Sequence, residues 1–150
     1  MFKKAMLFLG ILLMASGFAY AEEKYSIAGQ VTFSGHENIY VSIYTMEEFA
    51  NFKKSFPSPA FSQKIKPNPQ QIKSGIFSFK FSGIPKDSYC IIAFQDSDNN
   101  GKLACDTEGW IEEPICFYKE HTDVGLVIPN WHNMKFELVR DITRIIMKLE

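Results

Sequence analysis

Apolar and polar side chains alternate along much of this chain with a period of two. Tyr25, Ile27, Val31 and Phe33 interleave with Ser26, Ala28, Gln30 and Thr32, as on a strand with one face buried. Ile39, Val41 and Ile43 repeat the pattern after the turn sequence Gly35-His36-Glu37-Asn38, so the two segments are expected to form a hairpin. Thr45 and Glu48 have capping-box spacing, which predicts a short helix from Met46 to about Lys53 with Phe49 and Phe52 turned inward.

Pro57, Pro59, Pro67 and Pro69 are expected to break regular structure from Phe56 to Gln71, apart from a short edge strand over Phe61 to Lys66. Phe77, Phe79 and Phe81 alternate with Ser78, Lys80 and Ser82, and Ile84-Pro85-Lys86-Asp87 reads as a turn. Tyr89 to Phe94 is apolar at every position, the mark of a central strand covered on both faces. Near the C-terminus Ile142, Ile145, Ile146 and Leu149 fit a helix, whereas Thr143, Ile145, Met147 and Leu149 fit a strand. The strand is favoured, because Met134, Phe136 and Leu138 alternate just before it and Arg140-Asp141 offers a tight turn between the two. Roughly six to eight short strands predict an all-β fold, a Greek-key β-sandwich of immunoglobulin-like or transthyretin-like type.

The first residues follow a different rule. Lys3 and Lys4 precede an apolar stretch from Ala5 to Phe18, and Ala19-Tyr20-Ala21 is a small-x-small cleavage site. Residues 1–21 are therefore expected to be a signal peptide, removed before Glu22. The apolar run is short for a membrane span of roughly 20 residues, and no cysteine follows it to carry a lipid. Residues 22–150 are expected to form one domain, exported to the periplasm or secreted, with no stable membrane span after cleavage.

Sixteen Lys and Arg against 17 Asp and Glu give a net charge of −1, made slightly more negative by loss of Lys3 and Lys4. That balance offers no electrostatic footprint for nucleic acid. Fourteen phenylalanines argue for a large core. Of the three cysteines, Cys90 falls in the apolar strand pattern and is expected to pack as a small hydrophobe. Cys105 and Cys116 flank one loop and are the expected disulfide in an oxidising compartment, closing a short loop for about 3 kcal/mol.

The chemically specific segment follows the apolar strand. Asp96, Asp98 and Asn100 present side-chain oxygens at every second position and Gly101 follows where the chain must turn. Calcium loops need hard oxygens at positions one, three and five, a glycine at six and a main-chain carbonyl at seven, here Lys102. Asp106 and Glu108 are the expected closing ligands, so the candidate calcium loop is 96–108. Ala104 and Thr107 stand where an EF-hand has its ninth and twelfth ligands, and Asp-Asn-Asn-Gly is also an ordinary turn sequence.

The run Tyr89-Cys-Ile-Ile-Ala-Phe-Gln-Asp96-Ser-Asp98-Asn-Asn100-Gly101-Lys-Leu resembles the central motif of an exported bacterial family known as domain of unknown function 2141. That family shows Gly-x-Tyr, an apolar strand, Asp-x-Asn-x-Asn-Gly-x-x-Asp, then Gly-x-Pro-x-Glu and a Gly-Phe pair. Tyr89, Gly109, Glu113 and Phe117 stand at the matching places, and the resemblance runs on through Pro129, Trp131 and the segment Met134 to Leu149. The chain departs from the pattern at Ala104, where the last Asp is displaced to Asp106, at Ile111 for Pro and at Cys116 for Gly. The resemblance implies the fold, export and a Gram-negative periplasm; it implies no activity.

Catalysis would start from Cys116 and His121 as a thiol–imidazole pair, but no third member or oxyanion loop is recognisable, and a noncatalytic module is expected. Cys105, Cys116, His121 and His132 match no compact zinc or copper spacing. The alternative to a calcium loop is a metal-free glycan- or protein-binding module. Tyr40 and Tyr44 on the outer face of the second strand, with Trp110 and Trp131 in loops, would supply its stacking surfaces.

Overall fold

The computed structural model describes residues 22–51, 59–108, 110–119 and 130–149. The expected signal peptide, Phe52, Pro57, Gly109 and His121 lie outside the described residues. Among the described residues eight strands are formed: β1 (Lys24–Thr32), β2 (Asn38–Tyr44), β3 (Phe61–Ile65), β4 (Ile76–Pro85), β5 (Ser88–Asp96), β6 (Ile115–Phe117), β7 (Phe136–Glu137) and β8 (Ile142–Lys148). Short helices α1 (Met46–Asn51), α2 (Pro69–Ser74) and α3 (Trp131–Met134) join them. The fold is all-β, in two sheets. One has the order β4-β1-β8; the other runs β3-β2-β5-β6, with β7 also paired to β5.

The alternating positions meet between the sheets. Ile27, Val31, Phe77, Phe79, Phe81, Ile145 and Met147 from the first face Ile39, Val41, Ile43, Ile91 and Ala93 from the second in one buried cluster. The C-terminal period is that of a strand: Ile145, Met147 and Leu149 are buried while Ile146 is exposed. β8 lies parallel to β1, with an irregularity between the Ile27–Ile142 and Gly29–Ile145 pairs. Gly29 leaves the space that this packing uses, since a Cβ there would lie 2.5 Å from the Ile145 carbonyl oxygen and 2.8 Å from Phe79 Cζ.

Both expected hairpins are split between the sheets. β1 pairs with β4 and β8 and never with β2, whose partners are β3 and β5. Likewise β7 joins β5 while β8 crosses to β1. Period-two burial identifies a strand and its inner face but not its neighbour, and each short link is long enough to cross the roughly 10 Å between packed sheets. The first crossing is held by Gln95, whose Nε2 donates to the Ser34 carbonyl and to Glu37 Oε2, both at 2.6 Å. At the second, Asp141 Oδ1 accepts the Ser26 N–H at 2.8 Å.

The proline-rich connection also differs from its expectation. β3 is the predicted edge strand, but α2 follows it. Asn68 caps α2 by accepting the Gln71 N–H, Gln71 Oε1 accepts the Asn68 N–H in return, Pro69 opens the first turn, and Gly75 ends it at φ 66°. Proline at the first helical position costs no hydrogen bond, because that N–H has no partner within the helix. Thr45 and Glu48 form the predicted box ahead of α1.

β5 is apolar from Tyr89 to Phe94 because the outer face of its sheet is covered as well. Tyr44, Cys90, Ile92 and Phe117 pack outward against Ile111, Trp131 and Met134, with Phe49, Leu103 and Ile115 at the margin. Tyr44 and Trp131 are thus core residues and offer no open stacking surface. Tyr40 lies flat on Phe94, with ring centroids 4.9 Å apart, and Lys64 Nζ sits 5.4 Å from its ring centre.

Candidate functional site

The second sheet delivers Asp96 at the end of its central strand, fully buried. Beyond it the chain folds back on this carboxylate. Asp96 Oδ1 accepts the Asn100 N–H and Oδ2 the Gly101 N–H, each at 3.0 Å. Asp98 Oδ1 accepts the same Asn100 N–H at 3.0 Å, and Asn100 Oδ1 accepts the Lys102 N–H at 2.7 Å. The tight path needs left-handed backbone at Asn99 (φ 60°) and Gly101 (φ 77°), conformations that Asn and Gly adopt at least cost. Asn38 Nδ2 donates to Asn99 Oδ1 at 2.7 Å and ties the turn to the start of β2.

A narrow finger follows. Asp106 N–H donates to the Trp110 carbonyl and Glu112 N–H to that of Ala104, with Cys105 bridged to Ile111 between them. This pairing returns the chain to its starting point and sets Glu113 beneath the loop. Glu113 Oε1 accepts the Ser97 N–H at 2.6 Å and Oε2 the Ala104 N–H at 2.9 Å. One oxygen each from Asp96, Asp98 and Glu113 lie within 4.8 Å of one another. Burial raises the Glu113 carboxyl above the usual carboxylate range; the two N–H donors oppose that shift, and the Asp96 and Asp98 charges add to it.

The third acid of this cluster is therefore Glu113, where the sequence spacing pointed to Asp106 and Glu108. Those two serve the finger's tip. Asp106 Oδ1 accepts from the Glu108 and Trp110 N–H groups at 2.9 and 2.8 Å, and Glu108 Oε2 accepts from Trp110 Nε1 at 3.1 Å. Asn100 and Lys102 lie in the loop, with Asn100 Oδ1 turned to the Lys102 N–H. A calcium-loop template counts forward a fixed twelve positions and cannot find an acid returned by a finger of unknown length. Glu113 was visible only through the family pattern.

The expected Cys105–Cys116 bridge is not formed, and Cys90, Cys105 and Cys116 are all free thiols. The strand period explains this. Ile115 and Phe117 of β6 face the outer cluster that the finger covers, so Cys116 between them faces the core between the sheets, while Cys105 is exposed on the finger. Burial pushes the thiols of Cys90 and Cys116 up to about 12, as for neutral thiols packed among apolar side chains. His132 lies on α3, with its backbone N–H capped by Asn130.

Fold and loop together define a small two-sheet β protein with an acidic, backbone-braced loop at the end of its central strand. A family model described as "Uncharacterized protein conserved in bacteria (DUF2141)" matches residues 30–146. The chain belongs to that family. No curated protein and no solved structure matches it. Among the described residues, no helix is long and apolar enough to cross a membrane.

Proposed function

We propose that this protein is an exported, noncatalytic binding or structural module whose 96–104 loop, closed by Glu113, holds a calcium ion. The supporting observation is the convergence of Asp96, Asp98 and Glu113 oxygens within 4.8 Å. Three carboxylates so close repel one another unless a proton or a cation offsets their charge. A donor set made only of carboxylate oxygens suits a hard divalent cation and not zinc or copper. The ion would fix the loop and neutralise the cluster; it would do no chemistry. On this reading residues 1–21 direct export to the periplasm, and the two sheets form a Greek-key sandwich that carries the loop at one end.

The test is thermal unfolding of residues 22–150 with chelator and then with millimolar calcium. An Asp96→Asn, Asp98→Asn variant and a Glu113→Gln variant should each lose the calcium-dependent rise in midpoint, while Asp106→Asn keeps it. Equal midpoints with and without calcium in the wild type would reduce the loop to a turn.

A further inference from the structure

The first sheet is unlike the second in its charge. β4, β1 and β8 contain Lys24, Lys80, Arg144 and Lys148 and not one Asp or Glu. All four cations are exposed. The register places the outward positions in rows: Lys80 opposite Ala28, Ser78 opposite Gln30 with Ile146 on its other side, and Ile76 opposite Thr32 with Lys148 beyond. Ile146, the most exposed large apolar side chain among the described residues at 76%, therefore stands between Arg144 and Lys148 along β8, and Ile76 is 40% exposed across the sheet. Asp141 and Glu23, toward the start of β1, are engaged with other partners. Asp141 accepts from Ser26, and Glu23 pairs with Lys86 at 3.0 Å.

We infer that this outer face docks the protein peripherally on a bilayer rich in anionic lipid. Its cations complement phosphate headgroups, and Ile146 between two of them enters the boundary between headgroups and acyl chains. The face is a sheet surface whose central row is Gln30, Ser78 and Ile146, and it matches a planar anionic surface better than a small anion. A soluble polyanion would use the cations and leave the isoleucine idle. The inference is independent of the calcium loop on the other sheet.

The test uses residues 22–150, since both buried clusters lie between Ile27 and Leu149 and the apolar stretch from Ala5 to Phe18 would bind lipid by itself. Co-sedimentation at low salt, in chelator, compares vesicles of equal phosphatidylglycerol and phosphatidylcholine with vesicles of phosphatidylcholine alone. Binding should require the anionic lipid and fall with salt. A Lys80→Gln, Arg144→Gln, Lys148→Gln variant should bind about a hundredfold more weakly, each cation contributing roughly fivefold. Ile146→Thr should lose roughly fivefold, whereas Lys64→Gln on the other sheet should change nothing. Unchanged circular dichroism in each variant keeps the comparison one of binding. Equal binding to neutral vesicles would overturn the inference, as would an equal loss from Lys64→Gln. So would heparin and vesicle binding that both depend on the cations and ignore Ile146→Thr, since that outcome assigns the face to a soluble polyanion.

Discussion

Glu113 accepts the backbone N–H of Ser97 at 2.6 Å from sixteen positions further along the chain. That bond, with its companion to Ala104, closes the acidic loop from below and puts a third carboxylate beside Asp96 and Asp98. One side chain thus braces the loop and loads it with charge. The two effects separate with pH.

The Glu113 carboxyl titrates above its ordinary value in the folded protein, first because it is buried and also because Asp96 and Asp98 lie near. The folded state then binds a proton that the unfolded chain has already released. Between the ordinary carboxylate value and the raised one, this group's contribution to stability therefore falls as pH rises, and below both values it is constant. In chelator, a Glu113→Gln variant, which resembles the protonated acid, should lack this decline. The check is the wild-type minus variant difference in urea midpoint as a function of pH. A difference that does not vary from pH about 4 to 7 would show that Glu113 is not under charge stress.

Gly29 should resist substitution although its backbone angles are ordinary for a strand. Even an alanine Cβ would lie 2.7 Å from Ile145 Cβ and 2.8 Å from Phe79 Cζ, so β8 or the phenylalanine must shift. Gly29→Ala is expected to cost about 1–3 kcal/mol by overpacking, read from urea unfolding. A Gly29→Ala, Phe79→Leu double variant should recover part of the overpacking penalty, because the Cζ contact goes with the phenylalanine ring.

The cap of α2 gives a smaller, local effect. Asn68→Ala removes the acceptor for the Gln71 N–H and should cost about 1 kcal/mol. Asn68→Ser should cost less, since serine also caps. Equal stability of all three proteins would mean that α2 frays without consequence for β3 and β4.

What the sequence revealed follows from what periodicity encodes. Phe77, Phe79 and Phe81 are inward as their spacing says, and so are Ile145 and Met147, because a strand that buries one face must alternate. The unbroken apolar run of β5 foretold a cover on both faces. Partner choice was not legible: a five-residue link such as 33–37 serves a hairpin or a crossing equally well, and only the competition of β4 and β8 for β1 decides. Asn68-Pro69 with Gln71 was readable as a capping box, and the weight given to proline as a breaker hid it. The Asp96 to Gly101 spacing gave half the site. Glu113 depends on pairing within the finger, a tertiary fact that a fixed ligand count cannot contain.

The arrangement of the three thiols carries the last prediction. Cys90 is buried in the outer cluster and Cys116 faces the core between the sheets, both with thiols pushed up to about 12, whereas Cys105 is exposed on the finger, its thiol raised less, by partial burial and the nearby acids Asp106, Glu112 and Glu113. Reaction goes through the thiolate and needs access. A native sample of residues 22–150 should therefore label rapidly at Cys105 alone, with Cys90 and Cys116 reacting only after denaturant is added. Cys105→Ser should abolish the rapid phase and leave the unfolding free energy within about 0.5 kcal/mol of wild type, with its midpoint nearly unchanged, as for other surface changes. Cys116→Ser should lower that midpoint, because a hydroxyl replaces a thiol packed against the core. Absence of the rapid phase from unreduced protein, and its return on mild reduction with Cys116 labelling as well, would instead show that the finger swings across β6 to form the bridge.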